Sequence, residues 1–477
     1  MAVRLRPLPA LLVLFALFAA LAMARPVDHD ESQYVAAAIL ARDWLPYRDF
    51  AYLQPPLQPW LFAPLAALFG EWAWPGLRLV NALLAAATVA CTWLAAIHAG
   101  ASRPAALAAA ALLACCDALL FSGAMARNDA LPGALLAGGI ALALAPRASA
   151  GSAFGAGLLF AAAAAAKVSF ALPAIAFGIH ALFARRHSPG WIALGALLPT
   201  LLVAFAWTLS PAGFTFGVFD FPARAPADFY VARPWKLSLA AKAIDAVKFL
   251  ALGPALLAIL LAARHRTTTP AARLLDLLVV AGLIAALLPT PTWRQYLLPA
   301  LPPLFARLAL AWTHRPPGRG ARIAAIVFAC AGLAPSIEAM LSSRPAMPRA
   351  MRDSAAIARA LDDAGVRGPV ASLAPQYLAA SGRPPDRRFA AGPFAWRSPA
   401  LLSPRDQQAR RIVTPPTLAA QFGPRGIWGP AAILIGGEAE WSAGDPALDR
   451  PLEAWAQKEG WRRVALTSPR FRLYVPR

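Results

Sequence analysis

Acidic residues are scarce in this chain, with 24 Asp and Glu against 45 Lys and Arg in 477 residues and a formal net charge of +21. The basic excess is not gathered on one helix face. It sits in short Arg clusters between apolar runs and in the C-terminal tail, which points away from nucleic acid and towards anionic lipid headgroups and phosphates. Cysteine is scarce too: Cys91, Cys115, Cys116 and Cys330 all fall inside apolar runs, and none has the spacing of a metal site. A disulfide framework and a thiolate metal module are therefore excluded, and the four read as packing residues. No internal repeat is visible.

What the chain has in abundance is apolar surface, 59% of its residues. A soluble domain of this length could not hide so much, so the composition predicts a polytopic α-helical membrane protein. Apolar segments recur near 8–24, 57–70, 77–98, 104–121, 129–145, 152–166, 168–184, 190–209, 246–263, 272–289, 295–313 and 321–341. The first, preceded by Arg4 and Arg6, has the look of a signal peptide but is expected to be a retained span, because many spans follow and a functional site stands directly after it. The segment at 57–70 is short and carries Pro59 and Pro64, so it reads as an interfacial helix. With that segment outside, every basic cluster (Arg103; Arg147; Arg185 and Arg186; Arg264, Arg266 and Arg273; Arg315, Arg319 and Arg322) falls on the cytoplasmic side, as the positive-inside rule requires. The expectation is thus about eleven transmembrane helices plus outer interfacial helices, with Lys167 at the outer tip of a tight hairpin. After about residue 342 continuous apolar runs stop. Gly368 to Leu373, Ala431 to Ile435 and Phe471 to Val475 read as strands, and Met351 to Ala364 and Leu452 to Gly460 as helices, predicting a small α/β domain over 342–477 behind a membrane domain over 1–341.

This topology sends polar groups from five segments to one outer face: Asp28-His29-Asp30-Glu31, Arg127-Asn128-Asp129, Lys167, the loop from Ser210 to Asp245, and Trp293-Arg294-Gln295-Tyr296. Asp28 and Glu31 have capping-box spacing, so Asp28 serves either the helix or the chemistry. Asp30 has no such structural duty, and a carboxylate there can take a proton from an incoming hydroxyl. Asp129 is either a polar helix end or a second acid that shares a hydroxyl proton or a divalent cation (Mg or Mn) with Asp30. Lys167 at membrane depth either snorkels or meets an anion such as phosphate. Arg294 and Tyr296 are either an interfacial anchor or a guanidinium fork and a phenol for a ligand. The loop at 210–245, with seven aromatic residues among Arg224, Arg233 and Lys236, is either an interfacial belt or a seat for a lipid tail with a charged head.

Taken in order, an outer Asp-Glu followed three residues later by Tyr34, a proline-rich turn at Gln54-Pro55-Pro56, Arg127-x-Asp129, an alanine-rich helix ending in Lys167 and Arg294-x-Tyr296-x-x-Pro299 resemble the GT-C superfamily. The likeness is to lipid-linked-sugar-dependent transferases of the protein O-mannosyltransferase and aminoarabinose-transferase type, and it covers about residues 1–341. The resemblance implies a glycosyltransferase of the bacterial inner membrane with a periplasmic site, taking sugar from a polyprenyl phosphate to a hydroxyl of a glycan, lipid or protein with inversion. It implies Asp30 as base with Glu31 beside it, Asp129 as the second acid, Lys167, Arg294 and Tyr296 at the donor phosphate, and Tyr34, Gln54 and Arg127 at substrate. Relatives often carry His or Glu-Lys where this chain has Gln54-Pro55, which removes a metal ligand or phosphate contact. A lipid or solute transporter and an inactive GT-C-like scaffold are the alternatives.

Overall fold

The computed structural model describes residues 7–265, 268–343, 346–437 and 448–477, so Arg4, Arg6 and Arg266 lie outside the described residues. Every apolar segment expected from the sequence is helical. In chain order they are α1 (Pro7–Ala24), α2 (Glu31–Leu40), α3 (Leu57–Phe69), α4 (Ala73–His98), α5 (Arg103–Ala114), α6 (Asp117–Ala124), α7 (Ala130–Ala143), α8 (Ala150–Ala166), α9 (Ala171–Ala184) and α10 (Pro189–Leu209). The loop that follows folds into α11 (Pro211–Thr215), a π-turn and α12 (Phe221–Phe229), and the helical part closes with α13 (Leu239–Ala251), α14 (Ala255–Arg264), α15 (Pro270–Leu287), α16 (Leu301–His314) and α17 (Arg319–Ser343).

By length and composition, four stretches among the described residues can cross a membrane (Leu57–His98, Pro189–Leu209, Pro270–Leu287 and Arg319–Ser342), or up to six if two bent pairs each count as one span. The expected count of eleven is not reached on that test. The reason is brevity: α7, α8 and α9 are apolar but have 14, 17 and 14 residues, and even 17 residues reach only about 26 Å at the α-helical rise. Two expected spans are broken: α5 and α6 meet at 63°, and α13 and α14 at 89°. The breaks touch, since the Asp117 N–H donates to the Leu252 carbonyl at 3.1 Å. The stretch Leu57–His98 is interrupted as well, because Gly70 takes φ +54° and ends α3 there.

Small residues let the helices approach. A Cβ on Gly157 of α8 would strike the Ile192 carbonyl of α10, and one on Gly195 of α10 would strike the Phe154 carbonyl of α8, so each glycine clears space for the opposite backbone. The alanine run ending α8 serves the same purpose, with Ala162, Ala163, Ala165 and Ala166 buried.

The helix ends sort into two sets. At one, His98 bonds the Ala141 carbonyl, Arg186 the Ala145 carbonyl, and the Ser102 N–H the Thr313 hydroxyl. At the other lie residues 28–31, 125–129, 167 and 294–296, described below.

The C-terminal region runs through α18 (Ala346–Asp363) to a four-stranded sheet of β1 (Val370–Ala371), β2 (Ala432–Ile435), β3 (Arg462–Val464) and β4 (Arg472–Val475). Its order is β1-β2-β4-β3, with β1 parallel to β2 and the other pairs antiparallel. The three expected strands are present. The short β3 was not foreseen, since its Arg-Arg-Val carries no apolar alternation and its two arginines are exposed. Between strands lie α19 (Pro393–Trp396), α20 (Pro404–Ala409), α21 (Leu418–Phe422) and, before β3, α22 (Arg450–Lys458). One apolar cluster unites both parts of the chain, joining Val35, Trp74 and Leu77 to Ile357, Tyr377 and Phe471. Tyr377 stands edge-on to Trp74 at 4.9 Å between ring centroids.

Candidate active site

The turn before α2 is tied by two local bonds. The Asp28 carboxylate accepts the Asp30 N–H at 3.0 Å, and Glu31 Oε2 accepts the Asp28 N–H at 3.0 Å. The expected capping box is therefore half-formed: Glu31 supplies its arm, while Asp30 occupies the N-cap without a side-chain cap bond. That leaves the Asp30 carboxylate for other partners.

Glu31 points inward and has no exposure. Its Oε1 accepts from Arg78 Nε at 2.7 Å, Trp74 Nε1 at 3.1 Å and the Ala126 N–H at 2.8 Å, while Oε2 accepts from Arg78 Nη2 at 2.6 Å. Arg78, equally buried, also donates to the Ala22 carbonyl at 2.6 Å. These bonds pin α1, α2, α4 and the loop before Asp129 together. Both Glu31 oxygens, expected beside the base, are thus engaged by Arg78, Trp74, Ala126 and Asp28 beneath the turn that carries Asp30. Arg78 went unnoticed in the sequence. The signal was available, because an arginine inside the apolar run 77–98 needs a buried partner.

Above this pair lies a second network. Arg127, 4% exposed, places Nη1 against Asp28 Oδ1 at 2.7 Å and against Asp30, and Nε against Asp129 Oδ2 at 2.9 Å. Lys167, at the extended break between α8 and α9, pairs with the other Asp129 oxygen. Asn81 of α4 holds the Arg127 carbonyl at 2.8 Å, and Asn128 holds the Ala166 carbonyl at 2.6 Å, so the backbones carrying Arg127 and Lys167 are both fixed. The charged ends of Arg127 and Lys167, expected at substrate and at the donor phosphate, bind carboxylates here.

The three acids differ electrostatically. Burial pushes the Asp30 carboxyl up, and the Arg127 and His29 charges do not fully offset it, so it stays above the ordinary value. Burial acts on Asp28 and Asp129 too, but Arg127 and His29 for the first, and Lys167 and Arg127 for the second, hold them below it. Asp30 keeps 16% of its side chain exposed, against none for Asp129, and its other oxygen lies 3.1 Å from His29 Nε2. Asp30 is thus the acid with both an open face and a raised proton affinity.

Around it, Arg294 pairs with Asp117 at 2.8 Å and keeps 28% of its side chain exposed. Asp117 stands at the α5–α6 break, and its partnership with Arg294 was not foreseen. The Phe121 ring gathers three guanidinium groups, those of Arg25, Arg127 and Arg294, at 5.3, 5.1 and 4.8 Å. The Tyr296 ring lies 5.6 Å from Lys167 Nζ, and burial pushes its phenol up. Tyr34, expected at substrate, is packed edge-on to Tyr52 at 6.4 Å and is 2% exposed. Gln54 is half-buried, with an Oε1 that finds no partner among the described residues. The C-terminal region reaches the same place: Phe394 lies 5.5 Å from the His29 ring, and the Arg397 guanidinium covers Phe229 at 4.3 Å.

A divalent cation between Asp30 and Asp129 does not fit this arrangement, because both Asp129 oxygens are engaged by cationic side chains and Arg127 stands between the two acids. The described residues with metal-ligating geometry are Asp28, His29 and Asp30, each with one ligand atom within 4.8 Å of the others. Arg127 contacts two of the three.

No family model and no curated protein sequence matches the chain. Solved structures do. ArnT from Cupriavidus metallidurans bound to undecaprenyl phosphate matches with a TM-score of 0.63 and 15% identity over 98% of both chains, and its apo form with 0.59 and 15% over the same shares. The arabinofuranosyltransferase AftD from Mycobacteria matches with a TM-score of 0.53 and 18% identity, covering 98% of this chain and 40% of that one. This polytopic, predominantly helical chain with its small C-terminal sheet therefore has the fold of the GT-C glycosyltransferases.

Proposed function

We propose that the protein is a membrane glycosyltransferase that moves a sugar from a polyprenyl-phosphate-linked donor to an acceptor hydroxyl, with Asp30 as the general base. The observation that carries this reading is the convergence of Asp30, Arg127, Asp129, Lys167 and Arg294 from four separate segments, inside the fold shared with a protein solved with undecaprenyl phosphate.

In this reading α3 rests on the outer leaflet and the site opens to the periplasmic side of a bacterial inner membrane, beneath the α/β domain formed by residues 342–477. The lipid donor keeps its phosphate at the interface, because carrying it further would expose the isoprenoid tail. Asp30 takes the acceptor proton as the acceptor oxygen bonds to the anomeric carbon. The bond from that carbon to the phosphate oxygen breaks, and the phosphate leaves with the electron pair. Attack opposite the leaving group inverts the sugar carbon. A carboxylate whose proton affinity is raised by burial suits the task, since a base works best with a pKa near the working pH. Positive charge must face the leaving phosphate. Arg294 fills that need better than Lys167, for it gives Nη1 to Asp117 and keeps a partly exposed fork, whereas Lys167 is 5% exposed and committed to Asp129. Glu31 and Arg78 act beneath the site as positioning residues. No step is assigned to a metal.

Asp30→Asn is expected to abolish sugar transfer in membranes supplied with polyprenyl-phosphate sugars, with expression and melting temperature unchanged. Retained transfer would place the base elsewhere. A transporter is the second reading, favoured by one observation: two broken helices meet beside the buried Asp117, and interrupted helices around a charged site belong to transporter architecture. Substrate counterflow in sealed vesicles, with no transfer by the purified protein, would select it.

A further inference from the structure

We infer that Arg127, together with Lys167, holds the place that a divalent cation would otherwise take among Asp28, Asp30 and Asp129, so that the site works without a metal. The first ground is charge. Three carboxylates converge from two segments, and the chain meets them with one guanidinium and one ammonium, the same +2 that Mg or Mn would bring.

The second ground is geometry. A single Nη1 of Arg127 serves Asp28 and Asp30 while Nε serves Asp129, so one planar group spans all three acids as a bridging ion would. Guanidinium suits this use because it stays charged and presents its N–H groups in a fixed fork. The third ground is that the group is built in. Arg127 is buried, its carbonyl is held by Asn81, and its charged face lies over Phe121 at 5.1 Å. A hard cation would need about six oxygen ligands, whereas the Asp28, His29 and Asp30 group offers three atoms, two of them from acids already bridged by Arg127. Any ion seated there would also sit against a fixed positive charge. Arg127 is in this account a positioning residue: it touches Asp30, not the reacting atoms, and fixes one carboxylate oxygen, leaving the other, beside His29, for the acceptor proton.

The activity arm of the test rests on the transfer reading above, and the binding arm does not. Full-length protein in detergent, stripped with a chelator, is titrated with Mn²⁺ and followed by electron paramagnetic resonance. The wild type is expected to bind no stoichiometric ion at these acids, and Arg127→Ala, which opens the space between them, to bind one that Asp28→Asn in the same background removes. Arg127→Lys, a point charge in the same place, is expected to exclude Mn²⁺ as the wild type does. In the activity arm, chelation is expected to leave wild-type transfer within about twofold, and Mn²⁺ to stimulate Arg127→Ala alone. Stoichiometric Mn²⁺ on the wild type that Asp28→Asn abolishes, or wild-type transfer that stops on chelation and returns with Mn²⁺, would overturn the inference. So would a folded Arg127→Ala that binds no ion. Should no polyprenyl-phosphate sugar be a substrate, the transfer reading falls and the binding arm still decides this one.

Discussion

The two parts of this chain use charge in opposite ways. In the helical part, charged residues are the joints: Glu31 and Arg78 are both fully buried and link four chain segments, and Asp129, equally buried, links Arg127 to Lys167. In the C-terminal region the joint is apolar. The strands β2 and β4 bury Ile433, Leu434, Leu473 and Tyr474, while ion pairs such as Arg472 with Glu453 lie at the rim. The difference follows from the surroundings. Apolar side chains gain little by meeting each other where lipid is the alternative, so polar groups supply specific contact between membrane helices. In water the hydrophobic effect does that work and leaves charges outside.

The comparison breaks most sharply at Arg78. Arg78→Met would strand a buried Glu31, and removing one partner of a buried pair costs about 3–5 kcal/mol. The expected result is a large loss of melting temperature in detergent, with the double variant Arg78→Met/Glu31→Gln recovering most of it, since an uncharged pair leaves no ion unpaired. A single variant as stable as the wild type would show that these charges are not the joint between the helices.

That pair also marks the limit of what the sequence made legible. The helices were readable, because apolar runs and their Pro and Gly punctuation are local signals. The acids that gather around Arg127 were readable as a group, because charges beside apolar runs stand out one by one. Pairing was not readable. Nothing in the order of residues says that Glu31 turns to Arg78, or that Arg127 is given to three acids and not to a ligand. Such choices are set by helix crossings among segments far apart in the chain, 177 residues in the case of Asp117 and Arg294. The short β3 was missed for a related reason: its place in the sheet comes from pairing with β4 and not from its own pattern.

Asp449 sharpens the contrast, a buried carboxyl in the C-terminal region that, unlike the equally buried Asp386 with its Arg388, has no ion-pair partner among the described residues. It accepts the Gly436 N–H at 2.8 Å, and burial raises its pKa to about 6. Its folded value lies above the ordinary one, so the folded state holds the proton more tightly. The resulting stability is complete below about pH 4 and lost as pH rises to about 6, a difference of about 3 kcal/mol at most. Asp449→Asn keeps an acceptor for Gly436 and removes the ionisation. The expected outcome is a C-terminal region more stable than the wild type at pH 7, with no pH slope between 4 and 6 in its unfolding. An unchanged slope would assign the titration to another group.

The smallest effect is expected at the rim, where Arg472 meets Glu453 through two bonds of 2.5 and 2.8 Å. On distance alone this pair equals Glu31 with Arg78. Its surroundings differ: the Arg472 side chain is 35% exposed and that of Glu453 16%, so water and salt screen their attraction. Hydrogen bonds from Tyr474 and Arg472 to Glu453 keep its carboxyl below the ordinary value despite the opposing pull of burial. A double-mutant cycle with Arg472→Met and Glu453→Gln is expected to give a coupling of about 1 kcal/mol or less, falling further in high salt. A coupling as large as that of Glu31 with Arg78, and indifferent to salt, would mean that bond geometry, and not the medium, sets the worth of an ion pair in this protein.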